Sequence, residues 1–445
     1  MTDYDVIVVG CGPAGLMACG ELAKRGVKVL GVDKNPDLGR NTRTASGYCF
    51  INQPFNNITI RSEEKPKEDK TVLHFDELGF KTEYSGIMQG VYNSYMFSDT
   101  GKWWRASTTK KPFYNMFNPG KCKKDRYEWA LRKGAKFMTE TLALRVDQDE
   151  TKVTLTIRHK GKTQNLTCKK MIASDGLSSR MAKLSGANKI HNRQFFGKGP
   201  TIEYEMVGVD MPYDRGDCFF FGANNFGGMA GGLIMVPSPI SEDAYRLETI
   251  SVLPASTASD IIEYFTKKGP FKHWFKNAEV VDKSGAMVEM LTPMVTPHLG
   301  NILFVGDSAA WLECLYQSAT MAGYMGALAV EDELKGKDGF ADYTKFWADC
   351  FEWVKNPVRM ADYMKRVMFP RFFTVKELDF LFDLSQKYPI VMEEAEATPY
   401  DFTTMVMQNF IAMDEVPEDL KDRMRDVIKA DMGVLGQLIG KVQKS

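Results

Sequence analysis

The sequence predicts a two-domain α/β (α+β) fold with a Rossmann-like parallel-sheet domain, an inserted and mainly antiparallel sheet, and a C-terminal helical region. Three observations predict it. The β-branched run "DVIVVG" passes at once into "GCGPAG" and a helical "LMACGELAKRG", the order of strand, tight turn and helix. Two later strand-to-turn segments, "KKMIASDG" and "NILFVGDSA", flank a stretch of alternating apolar and polar residues broken by Gly and Pro. Beyond about residue 336, aromatic and apolar residues fall near helical spacing. The expected segments are 1–50, 100–180 and 290–335 for the discontinuous first domain, 51–99 and 181–289 for the second, and 336–445 for the helical region.

The first unit carries a nucleotide-binding pattern. Gly10 permits a tight turn, Gly12 lets backbone approach a pyrophosphate, and Gly15 lets the helix sit close to the strand. Ala14 keeps the same turn small, and the helix N-terminus offers amide donors and partial positive charge to phosphates. A second strand, "VKVLGVD", ends in Asp33, roughly 20 residues on, where an acid accepts from ribose hydroxyls, with Lys34 beside it. This pattern alone does not choose between FAD and NAD.

Bulk properties narrow the class. The 445 residues are 44% hydrophobic and 26% charged with net charge +0, so no global field recruits nucleic acid. The 8 cysteines are scattered, with no CxxC and no Cys/His ligand spacing, so no metal site is expected and a reducing cytoplasm fits best. The start has no basic region ahead of its apolar run, which argues against a signal peptide. The uncharged stretch Phe219 to Ile240 holds glycines, asparagines and prolines that suit strands and turns better than a membrane span.

Three later stretches resemble the FAD-binding pattern of the flavoprotein superfamily of p-hydroxybenzoate hydroxylase, geranylgeranyl reductases and electron-transfer-flavoprotein dehydrogenases. "DRYEWALRKGAKF" is similar to that superfamily's Arg-x-x-Phe/Tyr helix, which implies that Arg126 approaches the cofactor. "KKMIASDGLSSRMAK" resembles its Asp-Gly motif, with Ser174 in place of a usual Ala; it implies cofactor duty for Asp175, although a structural turn explains the same residues. "NILFVGDSA" resembles the Gly-Asp motif, which implies that Gly306 and Asp307 hold the ribityl chain of FAD. A carboxylate at the end of a buried strand needs partners, and a polyol supplies them. No second strand–GxGxxG–helix unit occurs, so electrons are expected from ferredoxin, another flavoprotein or a quinone pool, or from NAD(P)H on a brief visit.

The resemblance also exposes departures. After Gly306-Asp307 the superfamily has Pro and then glycines; here Cys314 and Gln317-Ser318-Ala319 stand there, after a bulky Trp311. A helix N-terminus near Ala319 is still expected to face the flavin. "GGMAGGLIMVP" lies where geranylgeranyl reductases carry an aromatic stretch ending in Pro. Its glycines imply either room for a bulkier ligand or a tight strand crossing. The charged insert "RSEEKPKEDK" reads as a solvated loop. The tail reads as helices that close over the core or form a homodimer face, with docking on a membrane surface as the alternative.

Flavin N5 exchanges hydride with a substrate carbon, so the protein must handle the proton. Candidates are Cys49 with its neighbour Tyr48, and Glu313, Cys314 or Tyr316. Cys49 comes a few residues later than the cysteine of related reductases, and a buried, inert thiol is its plainer reading. Arg43 in the same loop suits a phosphate or an anionic substrate. The leading expectation is an FAD-dependent oxidoreductase reducing or dehydrogenating carbon–carbon bonds of a hydrophobic isoprenoid or polycyclic substrate. Alternatives are a flavin monooxygenase using NAD(P)H and oxygen, and an electron-transfer-flavoprotein:quinone-type oxidoreductase.

Overall fold

The structure, a computed structural model, describes residues 2–42, 47–229, 231–250, 258–310, 315–391 and 400–442. Arg43, Trp311, Glu313 and Cys314 lie outside the described residues.

Strand β1 (Tyr4–Val9) is buried on both faces, as its unbroken β-branched run requires, with Val6, Ile7 and Val8 all fully buried. It pairs in parallel with β2 (Val29–Val32) on one side and with the Lys162–Ala173 strand on the other. Strand Lys136–Met138 extends the sheet beyond β2, and Ile302–Phe304 pairs in parallel with the end of the 162–173 strand. That long strand changes partner along its length. Its residues 168–173 pair with β1, while 162–168 pair antiparallel with Val153–His159 and build a three-stranded extension. Helix α1 (Pro13–Lys24) is therefore launched from the carboxyl edge of a parallel sheet, where such folds bind ligands.

The second sheet has eight strands in the order 279–291, 195–207, 245–250, 232–237, 217–221, 93–97, 103–107 and 390–391. It is mainly antiparallel, with parallel pairs only between 93–97 and 217–221 and between 103–107 and 390–391. Strand alternation sorts its side chains. Phe220 is buried against Phe97, Phe265 and Phe271, each such side chain contributing about 2 kcal/mol of burial. Phe219 and Phe221, one residue to either side, turn to a cavity on the opposite face.

Two expectations change here. The 93–97 and 103–107 strands are antiparallel neighbours in this one sheet, so the domain boundary expected near residue 100 would cut a hairpin. The charged insert is a hairpin rather than a loop: Arg61–Lys65 pairs with Lys70–Phe75, which pairs with Phe80–Tyr84. Asp69 at φ 49° closes the turn, and the charges mark the solvated face.

Among the described residues the tail forms six α-helices, from Gly339–Cys350 to Met432–Val442. Helix Val375–Lys387 opens on a capping box between Thr374 and Glu377 and packs on the 103–107 strand. Met364 and Met368 of helix Pro357–Met368, with Met432 and Leu435 of the last helix, close one side of the cavity.

Candidate active site: a nucleotide cradle opening into an apolar cavity

The three glycines of the first turn do different work. A Cβ on Gly10, whose φ is +94°, would lie 2.5 Å from Asp175 Cα, and one on Gly15 would lie 1.9 Å from the Gly10 carbonyl oxygen. Both are fixed by close packing. A Cβ on Gly12 would meet nothing within 4 Å, so this residue leaves open space at the start of α1. Among the described residues no side chain caps that helix and no acid sits in its first turn, so its first amides are open to the cavity. These features fit a dinucleotide phosphate. Asp33 accepts from the Cys11 amide at 2.7 Å and the Asn35 amide at 2.8 Å, which fixes the two strand ends together. Each of its oxygens keeps a second lone pair for a ribose hydroxyl, and Asp33 and Lys34 both line the cavity.

The later motifs converge on the same cavity. Asp175 accepts from Ser179 Oγ at 2.6 Å and from the Met181 amide at 3.0 Å, while burial raises its pKa; the structural turn is what the structure displays. Ser174 explains its own substitution for alanine, since its hydroxyl donates to the Gly10 carbonyl at 2.6 Å and ties the two loops. Gly306, at φ +62°, would place a Cβ 3.6 Å from Ala14 Cβ and 3.9 Å from Ala319 Cβ. These three small positions form a collar, and Asp307 stands in the cavity wall next to it. The helix carrying Ala319 runs from Leu315 to Leu334, so Ala319 sits in its second turn rather than at its start. Gln317 and Ser318 anchor that turn: Gln317 Oε1 accepts from the Phe50 amide at 2.7 Å, and Ser318 Oγ accepts from Asn56 Nδ2 at 2.8 Å.

Two expected site residues lie elsewhere. Arg126, on helix α2 (Pro119–Arg132), is buried against Met17 Sδ at 3.1 Å and does not line the cavity. Lys123, one turn earlier on α2, lines it instead, with its Nζ donating to the Arg40 carbonyl at 3.0 Å. Cys49 is buried in the two-residue strand β3 (Tyr48–Cys49), its pKa raised by burial, and Tyr48 is the member of that pair in the cavity wall. Tyr316 does line the cavity; its hydroxyl donates to the Pro119 carbonyl at 3.1 Å, and burial raises its pKa.

Sequence reading missed the wall opposite. Tyr114 and Asp217, buried and hydrogen-bonded to each other, line the cavity together with Phe219, Phe221 and Arg366. No local signal marks them, because they sit 103 residues apart on strands of different sheets. The cavity measures about 1680 Å³, well beyond the roughly 300–1,000 Å³ of ordinary small-ligand pockets. It has room for a dinucleotide and a large second ligand.

Known proteins resemble this chain in sequence and in fold. Residues 4–205 match the family described as pyridine nucleotide-disulphide oxidoreductase. Digeranylgeranylglycerophospholipid reductase 2 of Methanosphaera stadtmanae is 27% identical over 358 residues, 77% of this chain and 82% of its own. The digeranylgeranylglycerophospholipid reductase of Methanocaldococcus jannaschii is 23% identical over 78% of this chain and 82% of its own. Among solved structures, a geranylgeranyl bacteriochlorophyll reductase-like protein from Thermoplasma acidophilum superposes with a TM-score of 0.60 at 16% identity, covering 99% of this chain and 98% of its own. The chain is an FAD-dependent oxidoreductase, similar in sequence and fold to geranylgeranyl reductase-like flavoproteins. A flavin-dependent brominase, Bmp2, shares the fold of this flavoprotein with a TM-score of 0.56 at 15% identity, over 99% of each chain.

Proposed function

We propose that this flavoprotein reduces carbon–carbon double bonds of an extended hydrophobic substrate, isoprenoid or polycyclic. The observation that carries the reading is the wall of the cavity beyond the cradle. Gly231 and Gly232 line it, and a Cβ on Gly232 would meet only ordinary contacts, 3.6 Å from the Phe221 ring. A tight strand crossing therefore does not account for this glycine; it widens a chamber walled by Phe219, Phe221 and Ile234. Such a wall suits an apolar ligand, and the related reductases named above act on geranylgeranyl lipids by name.

FAD, when bound, supplies hydride at flavin N5. Gly12, the α1 amides and Lys123 are assigned to its phosphates, Asp33 to its ribose, and Asp307 to its ribityl hydroxyls. Ala14, Gly306 and Ala319 leave the space between them. The methionines and aromatics of the tail exclude water from the substrate side and position it. The tail thus takes the role of closing over the core; among the described residues no helix is long and apolar enough to cross a membrane.

The test is product mass. Chemically reduced protein, incubated without oxygen with a polyprenyl lipid, should yield a product heavier by two hydrogens per double bond reduced. A product heavier by one oxygen, formed only when oxygen and NAD(P)H are added, would establish the monooxygenase reading instead.

A further inference from the structure

We infer that Tyr114, held by Asp217 in the cavity wall, is the proton donor of this flavoprotein, and that Asp217 restores its proton. The inference rests on the reductive function proposed above and adds the residues that complete it.

Position is the first argument. Tyr114 comes from strand Tyr114–Met116, which pairs with β3; Asp217 opens the strand that carries Phe219 and Phe221. Their hydrogen bond joins two sheets at a point where both residues line the cavity. Tyr48 also lines the cavity, its ring centroid 5.1 Å from that of Tyr114.

Cost is the second. Burying a carboxyl among aromatic rings is unfavourable unless it is paired or neutral. Burial pushes the Asp217 pKa up to about 6, against the opposing pull of Ser94 and Tyr114 hydroxyls and of Arg366. Among the described residues, the polar and charged side chains that act most strongly on the pair are Ser94 from strand Asn93–Phe97, Arg366 from helix Pro357–Met368 and Tyr48 from β3. A fold indifferent to proton transfer would be better served by two apolar side chains here.

Among the described residues, Cys49 and Tyr316 are arranged differently. Cys49 is turned out of the cavity, and the Tyr316 hydroxyl donates to the Pro119 backbone carbonyl rather than to a carboxylate.

The step balances. One alkene carbon takes the hydride that the reduced flavin supplies, and the alkene π pair forms the second C–H bond with the proton of the Tyr114 hydroxyl. The proton on Asp217 passes to the Tyr114 oxygen, and solvent reprotonates the carboxylate afterwards. The alkene gains two electrons, the flavin loses two, and one proton is consumed. With Asp217 protonated, its O–H donates to Tyr114 and frees the phenol proton for the cavity, so the rate should fall as pH rises through about 6.

The test combines kinetics with a spectroscopic reading that needs no turnover. In Tyr114→Phe, alkene-driven reoxidation of reduced flavin should slow by about 100-fold or more, while flavin content and flavin reduction stay at wild-type levels. The infrared band of a protonated buried carboxyl should titrate near pH 6 in the resting holoenzyme, vanish in Asp217→Asn, and titrate at higher pH in Tyr114→Phe, which loses a bond that favours the carboxylate. Wild-type reoxidation rates in Tyr114→Phe, or a carboxyl band indifferent to both substitutions, would overturn the inference. Wild-type protein that reduces no alkene while the band behaves as described would overturn the functional reading, and the donor role with it.

Discussion

A Cβ added to Gly15 would lie 1.9 Å from the carbonyl oxygen of Gly10, whereas one added to Gly12, between them, would meet nothing within 4 Å. Residues within one turn are thus separated by purpose. Gly15→Ala must displace backbone and should destabilise the protein by about 2 kcal/mol or more, read as a lower Tm with and without flavin. Gly12→Ala should leave the Tm of flavin-free protein unchanged and weaken FAD binding at least about tenfold, because the methyl group fills the space assigned to phosphate. Equal losses of stability in both variants would contradict the assignment.

The chamber beyond the cradle gives a size prediction. Gly232→Ala meets only 3.6 Å contacts and should change stability by less than about 0.5 kcal/mol. Gly232→Trp should retain flavin but raise KM for long or polycyclic alkenes by about tenfold or more, with short substrates unaffected. Competition assays with alkenes of graded length check this, and uniform loss across lengths would remove Gly232 from the substrate wall.

Asp217 also makes stability depend on pH. Its folded pKa, about 6, lies above the ordinary carboxylate value near ~3.9, so folding favours the neutral form. Stability from this group is full below the unfolded value and declines as pH rises through the folded one, by about 3 kcal/mol in all. Asp217→Asn, neutral throughout, should therefore raise the Tm at pH well above 6 and change it little in acid. Thermal melts across that range decide it; a destabilisation that grows with pH would show the wrong sign.

Much of the cofactor half was legible in the sequence because its signals are local. A β-branched strand, glycines at fixed spacing and a following helix specify the cradle within about 20 residues, and Gly306-Asp307 follows its strand directly. Side-chain direction was less legible. Arg126 and Lys123 are both buried on α2, yet only Lys123 reaches the cavity, and the parity of a two-residue strand decided for Tyr48 over Cys49. The Tyr114–Asp217 pair was not legible at all. Its spacing of 103 residues carries no period, and only the pairing of strands within two separate sheets brings it together.

The most direct test follows flavin reoxidation in a stopped-flow instrument. Anaerobically reduced holoenzyme mixed with a polyprenyl alkene should regain the oxidised flavin spectrum without oxygen, at a rate that rises with alkene concentration. A spectrum that stays reduced until oxygen is admitted, with substrate then accelerating oxygen consumption, would contradict the account.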